Sequence, residues 1–305
     1  MNERIVFMGS PEFALPTLQR LAQAFRVVGV VTQPDRPAGR GRQLTPPPVK
    51  RLALALGLPV IQPNRLRSEP EALAQLAAWA PDLIVVAAFG QILRSNVLEM
   101  PRFGCVNVHA SLLPRWRGAA PIQAAILHGD AQTGITIMRM DAGVDTGPML
   151  SQRALEILPE DTAGTLSARL AELGADLLMG TLPGYLSGAI QPQEQDHTHA
   201  TLAPLLKKEH GVLDFSQPAA VLARQVRAFQ PWPGASLPWQ GEPLKVLMAH
   251  ATEEAAGDPG KFIVHLGQPA VIANPGILVL DVVQPPGKKP MPGKVFLQGG
   301  RTWAA

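Results

Sequence analysis

The sequence has a single cysteine, Cys105, among its 305 residues. One cysteine can form neither an internal disulfide nor a cysteine-rich metal site, so both kinds of framework are excluded. Long apolar runs are also missing, because the longest, LIVVAAFGQIL at residues 83–93, is shorter than the ~18 residues that a membrane-spanning helix needs. The first residues, MNERIVFMG, carry charge before a short apolar run and no cleavage motif, unlike a signal peptide. We therefore expect a cytoplasmic protein without a membrane span.

The glycine patterns of nucleotide-binding folds are missing as well. The first predicted strand ends in GSPE at residues 9–12. This turn has one glycine, and Pro11 stands where a backbone amide would contact a pyrophosphate. The sequence also lacks the P-loop motif with its lysine. These absences argue against binding of NAD or FAD and against nucleotide hydrolysis.

Apolar residues and proline are abundant, with 46% of the chain apolar and 31 prolines. A chain this apolar can bury enough surface to fold, and roughly 150 residues per domain suggests two domains. The net charge of +3 comes from residues 205–305, because the preceding residues are neutral in sum. Residues 34–51 nevertheless carry five basic side chains against Asp35 alone. Such clusters are typical of a polyanion-binding surface or of an ordinary solvated loop.

Short apolar runs alternate with helical periodicity through the first 186 residues. They predict strands at 4–9, 27–32, 58–62, 82–89, 104–110 and 133–140, and helices after Pro11 and at 49–56, 71–79, 121–128 and 162–182. This alternation predicts an α/β fold with a mostly parallel sheet covered on both faces. The proline- and glycine-rich stretch between 34 and 48 predicts a long loop without regular structure.

The sequence changes character after residue 186. A polar, proline-containing stretch over 191–205 reads as a linker, and Ser216 is predicted to cap a helix. Short apolar runs broken by glycine and proline follow, at 244–249, 261–266, 270–273, 277–283 and 294–297. They predict a small β barrel or sandwich. The predicted organisation is a first domain over 1–188, a linker over 189–206 and a second domain over 207–305.

One predicted strand carries the strongest signal for chemistry. Asn107 and His109 alternate on it, so both side chains point to the same face. Ligands of open α/β sheets bind beyond the carboxyl ends of strands, and we expect an adjacent strand to bring Asp145 to that edge. An amide and an imidazolium can stabilise an oxyanion while a carboxylate orients the histidine. Structural roles for each residue remain open, and the residues alone indicate carbonyl chemistry and no more.

Residues 107–150 read NVHASLLPRWRGAAPIQAAILHGDAQTGITIMRMDAGVDTGPML. This stretch resembles the catalytic core of the folate-dependent formyltransferases, in which Asn-x-His is followed by SLLP-x-x-RG and by DxGxDTG. The resemblance implies a Rossmann-like domain that uses 10-formyltetrahydrofolate as formyl donor and no metal. It implies catalytic roles for Asn107, His109 and Asp145. It also implies donor binding at Phe89, Gly90, Ser111, Leu112, Leu113 and Pro114.

Other segments resemble the branch of this family that formylates methionine carried by initiator tRNA. They are GSPEFALPTL at 9–18, QPDRPAGRGRQLTPPPVK at 33–50, THATLAP at 198–204, QVRAFQPWPGA at 225–235 and VQPPGKKPMPG at 283–293. The resemblance then implies an OB-like C-terminal β barrel and initiator methionyl-tRNA as partner. We also expect a monomer. The tRNA-binding residues would be Arg36, Arg40, Arg42, Lys207, Lys288 and Lys289.

Three other functions stay open at this point. The same core would serve a formyltransferase for a small amine such as an amino-sugar nucleotide, although the basic loop would then lack a purpose. Water in place of the amine would give a formyl-tetrahydrofolate hydrolase. A non-catalytic RNA-binding protein is the third alternative, and the presence of Asn107, His109 and Asp145 argues against it.

Overall fold

The computed structural model describes residues 2–38, 43–254, 257–299 and 303–304. The chain forms two compact units. Unit 1 comprises Met1–Pro121, Gln132–Glu156 and Ser167–Ala203, and unit 2 comprises Ile122–Ala131, Ile157–Leu166 and Pro204–Ala305. None of the helices within the described ranges has the length and apolar character needed to cross a bilayer.

Unit 1 is built on a mixed sheet. The first eleven strands are β1 (Arg4–Gly9), β2 (Arg26–Val31), β3 (Arg36–Ala38), β4 (Gln43–Thr45), β5 (Val60–Ile61), β6 (Leu83–Ala87), β7 (Cys105–His109), β8 (Arg117–Gly118), β9 (Gln132–Arg139), β10 (Met149–Glu156) and β11 (Leu202–Ala203). Seven of them form one sheet in the order β10-β9-β7-β6-β1-β2-β5. The pairs from β5 across to β7 are parallel, which confirms the predicted mostly parallel α/β fold.

Six helices occur in the same stretch of the chain: α1 (Leu15–Ala24), α2 (Pro48–Ala55), α3 (Pro70–Ala78), α4 (Ser95–Leu98), α5 (Pro121–His128) and α6 (Ala163–Leu186). Of these, α5 after Pro121 and α6 up to Leu166 belong to unit 2. The first three have proline in their first turn, where its missing N–H group removes no helical hydrogen bond. The core of unit 1 includes Leu76, Ile84 and Cys105, all fully buried. Burial raises the pKa of the Cys105 thiol to about 12, so this cysteine is a neutral packing residue.

Three features of unit 1 differ from the sequence prediction. Residues 34–48 are not free of regular structure, because β3 pairs antiparallel with β4 and α2 begins at Pro48. Strand β10 was not predicted, because its outer positions are polar and interrupt the apolar run. Strand β9 runs antiparallel to β7, which an apolar run cannot indicate because it reads alike in both directions.

Unit 2 contains an antiparallel sheet. Its elements are α7 (Ala219–Ala228), β12 (Ala235–Trp239), β13 (Glu242–Thr252), β14 (Phe262–His265), β15 (Gln268–Ile272), β16 (Ile277–Gln284), β17 (Met291–Pro292) and α8 (Gly293–Gly299). The strand order is β12-β13-β16-β15-β14, with β17 beside β16. Buried residues of α7, including Leu222 and Val226, join the sheet residues Leu244 and Leu280 in one core. The predicted C-terminal β domain is confirmed.

Two local predictions in unit 2 were wrong. The stretch 294–297 is helical in α8 and not a strand, because it turns Phe296 into a cluster with Trp303, whose ring centroid lies 5.5 Å away. Ser216 does not cap α7, which begins three residues later. Its backbone N–H and its hydroxyl instead donate to Asp214 Oδ1 at 3.0 and 2.8 Å.

Candidate active site

Strand β7 carries two of the three predicted catalytic residues. Asn107 is half-buried, and His109 is buried with 5% of its surface exposed. The strand lies between β6 and β9, where Asn107 is opposite Val86 and His109 is opposite Thr136. The flanking strands thus hold the backbone of both polar residues within the sheet.

Asp145 contacts both of them. Its Oδ1 accepts from Asn107 Nδ2 at 3.4 Å, and its Oδ2 lies 3.6 Å from His109 Nδ1. Oδ2 also accepts from the backbone N–H of Gly118 at 2.8 Å. A Cβ at Gly118 would lie 2.6 Å from the Ala203 carbonyl oxygen, and its φ is +115°. Glycine is therefore required at the position that donates to the carboxylate.

The structure places Asp145 on a different kind of segment from the one predicted. It lies in the loop between β9 and β10, not on an adjacent strand. That loop leaves the sheet at the amino end of β7, because the N–H of Met140 donates to Cys105 O at 2.7 Å. The expectation that all three residues come from the same strand edge was wrong. The antiparallel direction of β9 is the reason.

The loop holds Asp145 in a left-handed conformation, with φ of +52°. This conformation is uncommon outside glycine, although aspartate adopts it more readily than most residues, and contacts around Asp145 hold it. Within the loop, Asp141 accepts from Thr146 Oγ1 at 2.7 Å and from the Gly143 N–H at 3.0 Å. Outside the loop, Gln195 Nε2 donates to the carbonyl oxygens of Asp145 and Gly147 at 2.9 and 2.7 Å.

Both ring nitrogens of His109 face oxygens that can accept. Nε2 donates to the Trp116 carbonyl oxygen at 3.0 Å, and Nδ1 faces Asp145. The Trp116 carbonyl can only accept, so Nε2 carries a hydrogen, and Nδ1 lies within ion-pair distance of the Asp145 carboxylate. Trp116 is itself left-handed, with φ of +62°. Its backbone N–H donates to Thr201 Oγ1 at 2.9 Å.

The segment that brings in Gln195 and Thr201 was predicted to be a linker over 189–206. In the structure β11 pairs with β8, and residues up to Ala203 belong to unit 1. Gln195 is only 4% exposed and accepts from the buried Arg117, at 3.1 Å from Nε and 2.6 Å from Nη2. Gln195 and Thr201 were not predicted as site residues. The one available signal was that Arg117, the partner of Gln195, belongs to the SLLP-x-x-RG motif.

Hydrogen bonds from Ser111 and Thr136 hold the predicted donor-binding loop, residues 111–114. The Ser111 hydroxyl is fully buried and donates to the Arg115 carbonyl at 2.6 Å. Thr136 Oγ1 donates to Ser111 O at 2.7 Å and accepts from the Leu113 N–H at 3.1 Å. Leu113 is buried, whereas Leu112 and Pro114 are half-buried. The polar groups of Ser111 and Leu113 thus shape the loop.

Phe89 and Gly90 follow strand β6. Phe89 is buried, and its carbonyl accepts from Gln33 Nε2 at 3.0 Å. Gly90 is exposed with φ of +78°. Among the residues that the structure describes, a Cβ at Gly90 would meet nothing nearer than Gln33 Nε2 at 3.7 Å. This strand end therefore leaves free space above it.

The predicted tRNA-binding residues lie on other segments of the chain. Arg36 is exposed in β3, and its Nη2 donates to Gln33 Oε1 at 3.3 Å. Arg40 and Arg42 lie outside the described residues. In unit 2, Lys207, Lys288 and Lys289 are exposed, the last two in the turn between β16 and β17. Within the described ranges, no group of three or more His, Cys, Asp or Glu side chains is arranged to hold a metal ion.

Two family models match the chain. One, described as formyl transferase, matches residues 3–182, and one described as formyl transferase, C-terminal domain, matches residues 205–301. The methionyl-tRNA formyltransferase of Roseiflexus sp. (strain RS-1) is 50% identical over 305 residues, covering 99% of this chain and 94% of that protein. The methionyl-tRNA formyltransferase of Halorhodospira halophila is 51% identical over 304 residues, covering 99% and 97%.

Solved structures share the fold at much lower identity. HypX from Aquifex aeolicus, in complex with tetrahydrofolic acid, superimposes with a TM-score of 0.62 at 17% identity, over 97% of this chain and 47% of that chain. An N-formyltransferase from Helicobacter canadensis, in complex with folinic acid and dTDP-3-aminofucose, gives a TM-score of 0.66 at 16% identity. It covers 92% of this chain and 99% of that chain.

Proposed function

The chain belongs to the formyl transferase family, and from that membership we propose that it formylates the amino group of initiator methionyl-tRNA with 10-formyltetrahydrofolate as donor. The observation that carries the proposal is the contact of Asp145 with both Asn107 and His109, within a chain whose end-to-end relatives are named for this activity. The proposal includes action in the cytoplasm. It also includes a monomeric state, which gel filtration of the purified chain can test.

In this proposal the three side chains divide the chemistry. The methionine nitrogen forms a bond to the formyl carbon, the bond from that carbon to N10 of the donor breaks, and a proton passes from the amine to N10. The Asn107 amide donates to the negative charge that develops on the formyl oxygen, and protonated His109 stabilises it through its positive charge, because its ring nitrogens already face Trp116 O and Asp145. The Asp145 carboxylate keeps His109 charged and oriented, and relays the amine proton.

The donor is proposed to bind along Phe89, Gly90 and residues 111–114. The free space above Gly90 and the apolar side chains of this loop suit a planar ring system in a cleft with few polar groups. The buried Ser111 hydroxyl would act through loop shape, because it already donates to Arg115. Disruption of residues 112–114 should weaken donor binding.

For the tRNA, we propose that exposed basic side chains contact phosphates. Arg36, Lys207, Lys288 and Lys289 are exposed, and Arg40 and Arg42 complete the proposed set. Phosphate contacts release counterions, so the affinity for tRNA should fall steeply with salt.

The test is formyl transfer from 10-formyltetrahydrofolate to methionyl-initiator tRNA, followed by mass spectrometry of the released methionine. Uncharged tRNA, free methionine and an amino-sugar nucleotide are the controls. We expect transfer to the charged tRNA alone. Formylation of the sugar amine would support the small-amine alternative, and donor turnover without formylated product would support a hydrolase. No donor turnover with any acceptor would contradict formyl transfer altogether.

A further inference from the structure

Two residues beside His109 have left-handed backbones, and both are held by one segment. Asp145 and Trp116 have φ of +52° and +62°. Gln195 donates to the carbonyl oxygens on either side of Thr146, and Thr201 accepts from the Trp116 N–H. Neither left-handed residue is glycine, and for the bulky Trp116 in particular this conformation is costly, so contacts such as these help to hold it.

The side-chain amide of Gln195 connects two segments of the site through hydrogen bonds. Its Nε2 uses both hydrogens on the loop that carries Asp145, and its Oε1 accepts twice from Arg117. Arg117 lies between Trp116, whose carbonyl accepts from His109, and Gly118, whose N–H donates to Asp145. The amide of Gln195 therefore joins the loop carrying the carboxylate to the loop contacting the histidine.

We propose that Gln195 and Thr201 are positioning residues for formyl transfer, which hold Asp145 and Trp116 in the conformations that set the carboxylate–imidazole geometry. Neither side chain touches the formyl group. The inference rests on the proposed function and goes beyond it, because it assigns catalytic consequences to a segment outside both regions matched by the family models. Loss of either contact should lower the rate of transfer more than it lowers substrate affinity.

The central variant is Gln195→Glu. Its carboxylate can still accept from Arg117, but it has no N–H group for the carbonyls of Asp145 and Gly147. A displacement of 1 Å at a reacting group can cost on the order of 10²-fold in rate. We expect kcat to fall about 10- to 100-fold, with KM for each substrate within about threefold of wild type. The matched control is Gln193→Glu, which places the same charge two residues away on an exposed side chain and should leave kcat unchanged.

A second pair of variants separates positioning from loss of fold. Thr201→Val keeps the shape of the side chain but removes the oxygen that accepts from Trp116, whereas Thr201→Ser keeps that oxygen. We expect Thr201→Val to lower kcat about tenfold and Thr201→Ser to keep kcat near that of wild type. All rates are expressed per folded protein, measured by circular dichroism well below each Tm.

The outcomes separate the two proposals. If wild type does not formylate methionyl-tRNA, the proposed function fails. If wild type is active and Gln195→Glu matches it in kcat, the positioning role is overturned. A raised KM with unchanged kcat also overturns it, because Gln195 would then act on binding. If Gln195→Glu does not fold, the Thr201 pair decides: equal kcat values for its valine and serine variants overturn the proposal.

Discussion

The two sets of proposed functional residues lie in opposite surroundings. The polar atoms of Asn107, His109 and Asp145 meet partners inside unit 1. The basic residues Arg36 and Lys288, in contrast, are exposed on a hairpin and a turn. Chemistry on a carbonyl requires fixed donors at short range, whereas attraction of a polyanion acts over a Debye length and tolerates mobile side chains. Changes in the first set should therefore alter the rate, and changes in the second should alter affinity and its dependence on salt.

The largest effect is expected from Asp145→Asn. The amide still offers one oxygen to the Gly118 N–H but no charge to stabilise the imidazolium of His109. We expect kcat to fall about 10³-fold, within the usual range for a residue that assists proton transfer, with unchanged tRNA affinity. Single-turnover formylation and filter binding measure the two quantities. Glu194→Gln is the control because Glu194 is exposed, and a loss of tRNA binding in Asp145→Asn would blur the contrast between the two sets.

A smaller effect is expected from Gly118→Ala. The new Cβ would lie 2.6 Å from the Ala203 carbonyl, so β8 must move away from β11 and carry the N–H away from Asp145. Together with the strained φ, this should lower the free energy of unfolding by about 1–3 kcal/mol and reduce kcat by about tenfold. Urea unfolding and steady-state kinetics measure both.

The control for this variant is Gly188→Ala. Gly188 has φ of +79°, and within the described part of the chain a Cβ there would have no neighbour within 4 Å. It should lose stability from the backbone conformation but keep kcat. If both variants kept wild-type kcat, the N–H of Gly118 would have no part in setting the carboxylate.

In the exposed set, Lys288→Ala combined with Lys289→Ala should weaken tRNA binding and leave kcat at saturating tRNA unchanged. If each lysine contacts one phosphate, the slope of log Kd against log salt should fall by about 1.4 to 1.8. Filter binding at several salt concentrations measures it. Lys261→Ala, also exposed in unit 2, is the control. An unchanged slope in the double variant would remove the turn between β16 and β17 from the tRNA-binding surface.

The smallest effect concerns the base of the β3–β4 hairpin. Hydrogen bonds from Lys50 and then Gln62 hold the pKa of Asp35 below its ordinary value. A carboxyl with a lowered pKa in the folded state adds stability above its unfolded pKa, and that stability is lost as the pH falls through the lowered value. Asp35→Asn should thus lower Tm slightly at pH 7, and the difference should shrink below about pH 4. A difference that is constant with pH would contradict an electrostatic origin.

Local pattern was enough to predict much of this molecule. The alternation of Asn107 and His109 on an apolar strand placed two catalytic candidates, because strand geometry is set by neighbouring residues. The approach of Asp145 was not predictable, because the direction of β9 depends on strand pairing and not on its apolar run. Gln195 read as part of a polar linker, because only its tertiary partners distinguish a buried glutamine from a solvated one. Phe296 likewise lies in a helix where the apolar run predicted a strand, and its partner Trp303 is not a sequence neighbour.

The pairing of β8 with β11 also bears on how such enzymes can be recombined. Gln195 and Thr201 lie in the interval between the two matched family regions, which end at residue 182 and begin at residue 205. A catalytic domain that ended at residue 188 would contain Asn107, His109 and Asp145. It would lack Gln195 and Thr201. Chimeras that exchange the C-terminal domain should therefore join after Ala203, and inheritance of the intervening segment should follow the first domain.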